Sequence, residues 1–112
     1  EADAFARLVK FALGAPCVTL SPCGKKAKRI ALIGGSGGDE IHVGKAACAD
    51  TYLTGDMKYH QTLSAGENDM NLVCAGHFYT EQPICARLCA LVAEVAPDAM
   101  ADAVTSCKVT II

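Results

Sequence analysis

Arg29-Ile30-Ala31-Leu32-Ile33-Gly34-Gly35-Ser36-Gly37-Gly38 is an apolar run that leads into a glycine-rich turn. The run from Arg29 to Ile33 is continuously apolar and β-branched, which is typical of a buried strand in a parallel sheet. Helical spacing of apolar residues follows from about Asp39 to Ala49. A strand, a tight turn and a helix in this order predict an α/β fold.

The same alternation continues on both sides of this unit. Further helices are expected at Ala4 to Leu13, Met57 to Ala65 and Gln82 to Val95, with a last short turn at Pro97 to Ala103. Further strands are expected at Cys17 to Leu20, Thr51 to Thr54, Asn71 to Cys74 and Lys108 to Ile112. The helix from Gln82 carries an apolar stripe made of Ile84, Leu88, Leu91, Val92 and Val95. Strands alternating with helices indicate a layered, mostly parallel or mixed sheet of about five strands covered by helices.

Composition limits the class of protein. The 112 residues are enough for one domain with its own core, and 52% are hydrophobic and 20% charged, as in globular chains. The net charge is -2 and the single basic run lies between Lys25 and Arg29, which argues against direct nucleic-acid binding. No apolar stretch approaches the ~20 residues of a membrane span, and none is laid out like a signal peptide. We therefore expect a cytoplasmic protein without a membrane partner.

The seven cysteines are an odd number with no regular framework. Most lie in apolar segments, where a free thiol behaves as a small hydrophobic side chain, so we expect them to be reduced and intracellular. A zinc site would gather Cys74, His77, Cys85 and Cys89. Their spacing differs from the familiar zinc motifs, and this site is kept only as an alternative.

The glycine loop Gly34 to Gly38 is the first of three loops that follow predicted strands. Backbone N–H groups of such a loop can cradle a phosphate at the start of a helix. However, Glu40 stands where the dinucleotide fingerprint needs its third glycine, and Asp39 adds a second negative charge. A tight turn, with Asp39 helping to cap the helix, is the favoured interpretation.

The second loop, Thr54 to His60, places Asp56 and His60 four residues apart. A helix that began near Asp56 would bring both side chains to one face. His60 would then act as a ligand, as an acid or base, or as a hydrogen-bond donor to substrate. In the alternative interpretation Asp56 caps the helix and His60 is a half-exposed helical histidine.

The third loop, Cys74 to Glu81, is the only strand-to-helix turn that holds both a histidine and a carboxylate. Ligands of open α/β sheets bind at the carboxyl ends of the strands, where His77 and Glu81 can share a metal ion. If Thr80 caps the helix, Glu81 and Pro83 lie in its first turn. In that interpretation Glu81 is a first-turn carboxylate favoured by the helix dipole, and His77 is a loop histidine bonded to backbone.

Three segments together resemble a known family: Ala31 to Gly38, Ala49 to His60 and Gly76 to Glu81. Their order and spacing are similar to the carboxyl-terminal half of the NIF-three-like proteins, also called type 2 GTP cyclohydrolase I. The resemblance covers about residues 5 to 112. Its most specific parts are the T-G-D-x-K-Y-H and G-H-x-x-T-E patterns.

The resemblance implies an α/β protein with a dinuclear metal site that assembles into a hexameric ring. In that family the last histidine and glutamate are metal ligands, which correspond to His77 and Glu81, and His60 would line the pocket. The remaining ligands, two adjacent histidines and an aspartate, belong to an amino-terminal half. This chain has no adjacent histidines. We therefore expect residues 1–112 to be one domain of such a fold. The domain would be cut from a longer chain or belong to a naturally short relative, and the missing initiator Met favours the cut domain.

The expected function is metal-dependent hydrolysis of a nucleotide or a phosphate-bearing small molecule. His77 and Glu81 would hold zinc, iron, manganese or cobalt, and His60 or Asp56 would transfer protons. Metal binding by this chain without its other half is expected to be weak or absent. One alternative is a non-enzymatic regulatory or scaffold protein that binds metal and acts through partners, since the family is named for contact with a transcription factor. Another is a domain that serves mainly for assembly into a homo-oligomer.

Overall fold

The computed structural model describes all 112 residues as a mixed α/β protein. Its helices are α1 (Ala2–Leu13), α2 (Ile41–Ala46), α3 (Tyr59–Glu67), α4 (His77–Glu81) and α5 (Pro83–Val95), and a 3-10 turn spans Gly38–Glu40. Its strands are β1 (Thr19–Ser21), β2 (Ile30–Leu32), β3 (Thr51–Thr54) and β4 (Asn71–Cys74). None of the helices has the length and hydrophobicity that crossing a membrane requires.

The four strands form one sheet in the order β1-β4-β3-β2. The pairs β2–β3 and β3–β4 are parallel, whereas β1 runs antiparallel to β4. Leu53 of β3 lies between Leu32 of β2 and Val73 of β4. The expected mixed sheet is therefore confirmed, and both central strands match their predicted bounds.

The sheet has one apolar cluster on each face, because side chains alternate along β3 and β4. On one face Leu53 and Val73 pack with Ala6 and Val9 of α1. On the other face Tyr52 and Leu72 pack with Ala65 of α3 and with Met70. These two layers hold β3 and β4 rigidly, and the candidate site lies at the carboxyl ends of the same strands.

The predicted fifth strand was wrong. The chain from Met100 to Ile112 forms neither helix nor strand, and Pro97 to Ala103 forms only a turn at its start. Its apolar side chains, Val109 and Ile111 among them, remain exposed. A β-branched run favours a strand only where a pleated, half-buried surface receives it, and no such surface of this chain covers residues 108–112.

The prediction that β2 is a buried strand was also wrong. It lies at the edge of the sheet, with Ile30 and Leu32 37% and 66% exposed. Helix α1 packs over the neighbouring strands and leaves β2 uncovered, so a cavity of about 500 Å³ opens between α1, β2 and Pro83. The apolar stripe of α5 is exposed as well, and no residue of that helix is buried.

Candidate functional site

The three loops that follow β2, β3 and β4 are tied together by their backbones. The carbonyl of Gly35 accepts hydrogen bonds from the N–H of Gly55 (2.8 Å) and of Asp56 (3.2 Å), and Ser36 forms a parallel bridge with Asp56. The N–H of Gly76 donates to the carbonyl of Gly55 at 2.8 Å. Residues far apart in the sequence therefore meet at the carboxyl ends of the parallel strands.

Buried side chains fix the glycine loop from below. The hydroxyl of Thr54 accepts a hydrogen bond from the N–H of Gly37 and donates one to the carbonyl of Gly35, both at 2.9 Å. The hydroxyl of Tyr52 donates to the carbonyl of Gly37 at 2.7 Å. Burial, with a smaller effect of the nearby Glu40 carboxylate, raises the pKa of Tyr52, so this phenol stays protonated and keeps its donor.

His77 and Glu81 open and close the short helix α4, so they lie one turn apart on the same side. Both side chains lie against Gly35. A β-carbon at Gly35 would collide with Oε1 of Glu81 and lie 3.3 Å from its Cδ and 3.7 Å from Nδ1 of His77. The φ of Gly35 is also +73°, a conformation that favours glycine. A nitrogen donor and a carboxylate thus converge over one point of the glycine loop.

Asp56 brings a second carboxylate to this cluster. Its Oδ2 is 4.0 Å from Nε2 of His77, and its Oδ1 accepts the N–H of Met57 at 2.8 Å. The side chains of His77 and Asp56 are 49% and 71% exposed, so solutes can reach both. An ion pair this open adds little stability, and the cluster is available for ligand binding.

The structure does not pair Asp56 with His60 as the sequence suggested. Helix α3 begins at Tyr59, so Asp56 lies before the helix and the four-residue spacing does not align the two side chains. The start is set by Gln61, whose Oε1 accepts the N–H of Lys58 at 2.9 Å. His60 is exposed and forms no ion pair or hydrogen bond with the cluster. Its role as an acid or base, and that of Asp56, stay predictions.

Thr80 does not cap a helix, contrary to one of the alternatives above. It lies inside α4, whose N-cap is Gly76, and Glu81 ends that helix instead of beginning the next. Pro83 does open α5, as expected. The hydroxyl of Thr80 accepts the N–H of Gly35 at 3.0 Å. Neither this contact nor that of Thr54 was predicted from the sequence, although each threonine stands in one of the two specific patterns, T-G-D and T-E.

A divalent cation needs several donor side chains around it, and this chain alone does not bring enough of them together. No group of three or more His, Cys, Asp and Glu side chains is placed to hold a metal ion. The alternative zinc site built on Cys74, Cys85 and Cys89 with His77 is therefore not assembled, and burial raises the pKa of the Cys74 thiol, which disfavours the thiolate that zinc binds. His77 and Glu81 offer the donor types that suit a divalent cation, but only part of a first coordination shell.

Two cavities flank Asp56. The larger, about 430 Å³, contains hydroxyl, thiol and apolar groups but no Lys, Arg or His, and its lining is Thr19, Leu20, Ser21, Asp56, Met57, Thr62, Leu72 and Cys74. The smaller, about 180 Å³, shares Asp56 and Cys74 and reaches Tyr79. Asp56 therefore stands between the His77 side of the cluster and a pocket large enough for a small organic group.

Comparison with known proteins identifies the family. The model of Duf34/NIF3 (NGG1p interacting factor 3) matches residues 1–110. This chain belongs to the Duf34/NIF3 family. A Campylobacter jejuni protein named GTP cyclohydrolase 1 type 2 homolog is 44% identical over 81 residues, which are 71% of this chain and 32% of that protein. A Staphylococcus aureus protein of the same name is 37% identical over 75 residues, 66% of this chain and 20% of that protein.

Solved structures agree with the NIF3 assignment. Staphylococcus aureus protein SA1388 superposes with a TM-score of 0.84 at 28% identity, over 99% of this chain and 34% of that chain. A Bacillus cereus protein related to NIF3 superposes with a TM-score of 0.78 at 28% identity, over 99% of this chain and 32% of that chain. The family and the α/β fold predicted from the sequence are thus confirmed, and the chain spans about a third or less of each of these four relatives.

Proposed function

We propose that this NIF3-family chain contributes part of a divalent metal centre used to hydrolyse a nucleotide or a phosphate-bearing small molecule. The observation that carries the proposal is the convergence of His77 and Glu81 on Gly35, where a β-carbon would collide with the carboxylate. A glycine that makes room for a histidine and a carboxylate suits a shared cation better than a purely structural turn. Zinc, iron, manganese and cobalt all accept this pair of donors.

Each residue of the cluster has a distinct role in this proposal. His77 and Glu81 hold the cation, and the ligands that complete a dinuclear centre come from outside these 112 residues, from an amino-terminal half. A bound divalent cation would lower the pKa of a water molecule and stabilise developing negative charge. Asp56, whose Oδ2 lies 4.0 Å from Nε2 of His77, would accept a proton during hydrolysis, and His60 is the second candidate for proton transfer.

The substrate class follows from the names of the relatives and from the cavity beside Asp56. The relatives are named as homologues of GTP cyclohydrolase 1 type 2, which supports a nucleotide. The 430 Å³ cavity carries hydroxyl groups and one carboxylate but no cationic side chain. It therefore suits the uncharged part of such a molecule, whose phosphates would lie toward His77 and Glu81.

Metal content per chain tests this proposal. The protein is dialysed against zinc or manganese and analysed by plasma mass spectrometry, alone and together with the amino-terminal half of a family member. We expect His77→Ala to lose the metal that the wild type retains. His42→Ala is the matched control, because His42 is exposed and bonded only to the carbonyl of Asp39. Equal and substantial metal in the wild type and in His77→Ala, with the amino-terminal half present, would remove His77 as a ligand.

A second candidate function is protein contact, and it rests on helix α5. The stripe that includes Leu88 and Leu91 is exposed, and no residue of the helix is buried. We propose that this face joins copies of the chain into a homo-oligomer, a hexamer if it follows the family, or holds a regulatory partner. Sedimentation should show smaller species for Leu88→Asp but not for Arg87→Asp, since Arg87 is exposed and bonded only to Glu94. Unchanged sedimentation of Leu88→Asp would exclude the stripe from assembly.

The cellular compartment is proposed from the cysteines. All seven are free thiols in the structure, including the exposed Cys17, Cys48 and Cys107. Unpaired exposed thiols persist in a reducing compartment, which supports the cytoplasm. Fractionation of cells that produce the protein, with alkylation of its thiols, tests this point.

A further inference from the structure

We infer that Thr80 is a positioning residue, whose hydroxyl locks the glycine loop onto the helix that carries His77 and Glu81. The inference rests on the proposed metal centre for its functional consequence. The contact itself is independent of any metal. It joins a residue of α4 to the loop after β2, 45 positions earlier in the sequence.

The hydroxyl of Thr80 serves as acceptor and donor at once. Its Oγ1 accepts the N–H of Gly35 at 3.0 Å. It donates its single proton to the carbonyl of Gly76 at 2.9 Å, with the carbonyl of His77 at 3.1 Å as the second acceptor. A hydroxyl that donates becomes a better acceptor, so the two hydrogen bonds reinforce each other. The start of α4 and the middle of the glycine loop are thereby joined through one oxygen atom.

Glycines surround this threonine on three sides. A β-carbon at Gly34 would lie 3.0 Å from the carbonyl oxygen of Thr80, and one at Gly55 would lie 2.8 Å from its Oγ1. At Gly35 the obstacle is the neighbouring Glu81. Two loops therefore approach Thr80 more closely than side chains would permit. Such packing fixes a geometry, whereas a surface threonine in a helix usually bonds only to its own backbone.

Loss of the hydroxyl would affect the two candidate ligands through Gly35. The N–H of Gly35 would lose its partner, and the loop would move to satisfy it. Gly35 is the residue against which Glu81 and His77 rest, so their side chains would no longer be held in one arrangement. Residues that orient metal ligands without touching the metal typically change its affinity 10–100-fold.

The test compares Thr80→Val, which removes the hydroxyl at nearly constant shape, with Thr80→Ser, which retains it. Thr105→Val is the control, because Thr105 is an exposed threonine outside the helices and strands and away from the proposed site. Three quantities are measured: hydrogen exchange of the Gly35 amide, the ring resonances of His77, and zinc affinity. If Thr80→Val does not fold, Thr80→Ala replaces it, since it removes the same hydrogen bonds with a smaller side chain.

We expect Thr80→Val to speed exchange at Gly35, shift the His77 resonances and weaken zinc binding about 10–100-fold. Thr80→Ser should restore all three, and Thr105→Val should leave them unchanged. Wild-type exchange and resonances in Thr80→Val would overturn the inference, as would altered exchange with unchanged zinc affinity. If the wild type binds no zinc even with the amino-terminal half of a family member present, the proposed metal centre fails. The positioning of His77 is then decided by the metal-free resonances, which must move in Thr80→Val and return in Thr80→Ser.

Discussion

The carboxylate of Glu81 occupies the space where a side chain at Gly35 would begin. The two residues are 46 positions apart. They meet because the loop after β2 and helix α4, which follows β4, both lie at the carboxyl ends of the parallel strands. Gly35 also has a left-handed backbone, with φ at +73°. Position 35 is therefore restricted to glycine by backbone conformation and by the approach of Glu81.

Gly35→Ala should destabilise the protein by about 2–4 kcal/mol, the sum of left-handed strain and overpacking. The new methyl group would also push the Glu81 carboxylate away from His77. Urea unfolding followed by circular dichroism measures the loss of stability, and metal affinity should fall in the same variant. The reason is geometric, because the methyl group and Oε1 of Glu81 cannot share one position.

Gly24→Ala separates the backbone strain from the overpacking in the expected loss of stability. Gly24 also has a positive φ, +85°, but nothing lies within 4 Å of its missing β-carbon. Only the backbone strain of about 1–2 kcal/mol is expected there. Equal destabilisation by both substitutions would show that Glu81 does not crowd Gly35 in solution.

Glu81→Gln should weaken metal binding at least about 10-fold, because the amide keeps the shape of the side chain but loses the negative charge that attracts a cation. Isothermal titration with zinc gives the affinity. Glu94→Gln is the control, since Glu94 lies on α5 and pairs only with Arg87, at 3.4 Å. A Glu81→Gln variant that binds zinc as the wild type does would remove Glu81 from the ligand set.

Asp50→Asn should lower stability at neutral pH by about 1 kcal/mol. The Asp50 carboxylate accepts the N–H groups of Lys28 and Arg29 and the hydroxyl of Thr51, each at 2.9 Å. Partial burial acts to raise the pKa of Asp50, but these hydrogen bonds outweigh it and leave the pKa lowered. Asparagine has one acceptor oxygen in place of two, so it cannot satisfy both backbone donors.

The sign of the pH dependence follows from the lowered pKa of Asp50. A carboxyl whose pKa is lower in the folded state stabilises the protein above its unfolded pKa of about 3.9, and this contribution is lost as the pH falls through the folded value. The gap in unfolding free energy between the wild type and Asp50→Asn should therefore be widest near neutral pH and close in acid. Asp98→Asn, at an exposed residue without side-chain hydrogen bonds, should follow the wild type at every pH. A constant gap would contradict this account.

Asn71→Ala should destabilise the fold by about 2–4 kcal/mol, because it leaves buried polar groups without partners. The Asn71 side chain is fully buried. It accepts the N–H of Cys23 at 3.0 Å and donates to the carbonyls of Lys25 (3.1 Å) and Asp50 (3.2 Å). Thermal unfolding measures the loss, and the exposed Asn68→Ala serves as comparison with an expected change below about 1 kcal/mol. Similar losses in both variants would show that the Asn71 contacts are not formed.

Local patterns predicted the central elements of the fold well. The strands Thr51–Thr54 and Asn71–Cys74 have the predicted bounds, since short β-branched runs between turn residues admit few other structures. The strand at Ile30–Leu32 was predicted but its expected burial was wrong, and the strand predicted at residues 108–112 does not form. Composition does not reveal whether another element covers an apolar run, and that is decided by packing.

Their place at the carboxyl end of a strand pointed to His77 and Glu81, and the structure brings both side chains to Gly35. Their role as metal ligands stays a prediction. The prediction that a four-residue spacing brings Asp56 and His60 together was wrong, since the helix starts after Asp56. The partner of Asp56 is His77, which comes from another loop. Which loops meet at the carboxyl ends of the strands depends on strand order. That order arises from the pairing of strands far apart in the sequence, such as Leu53 with Leu32 and with Val73, and no local pattern encodes it.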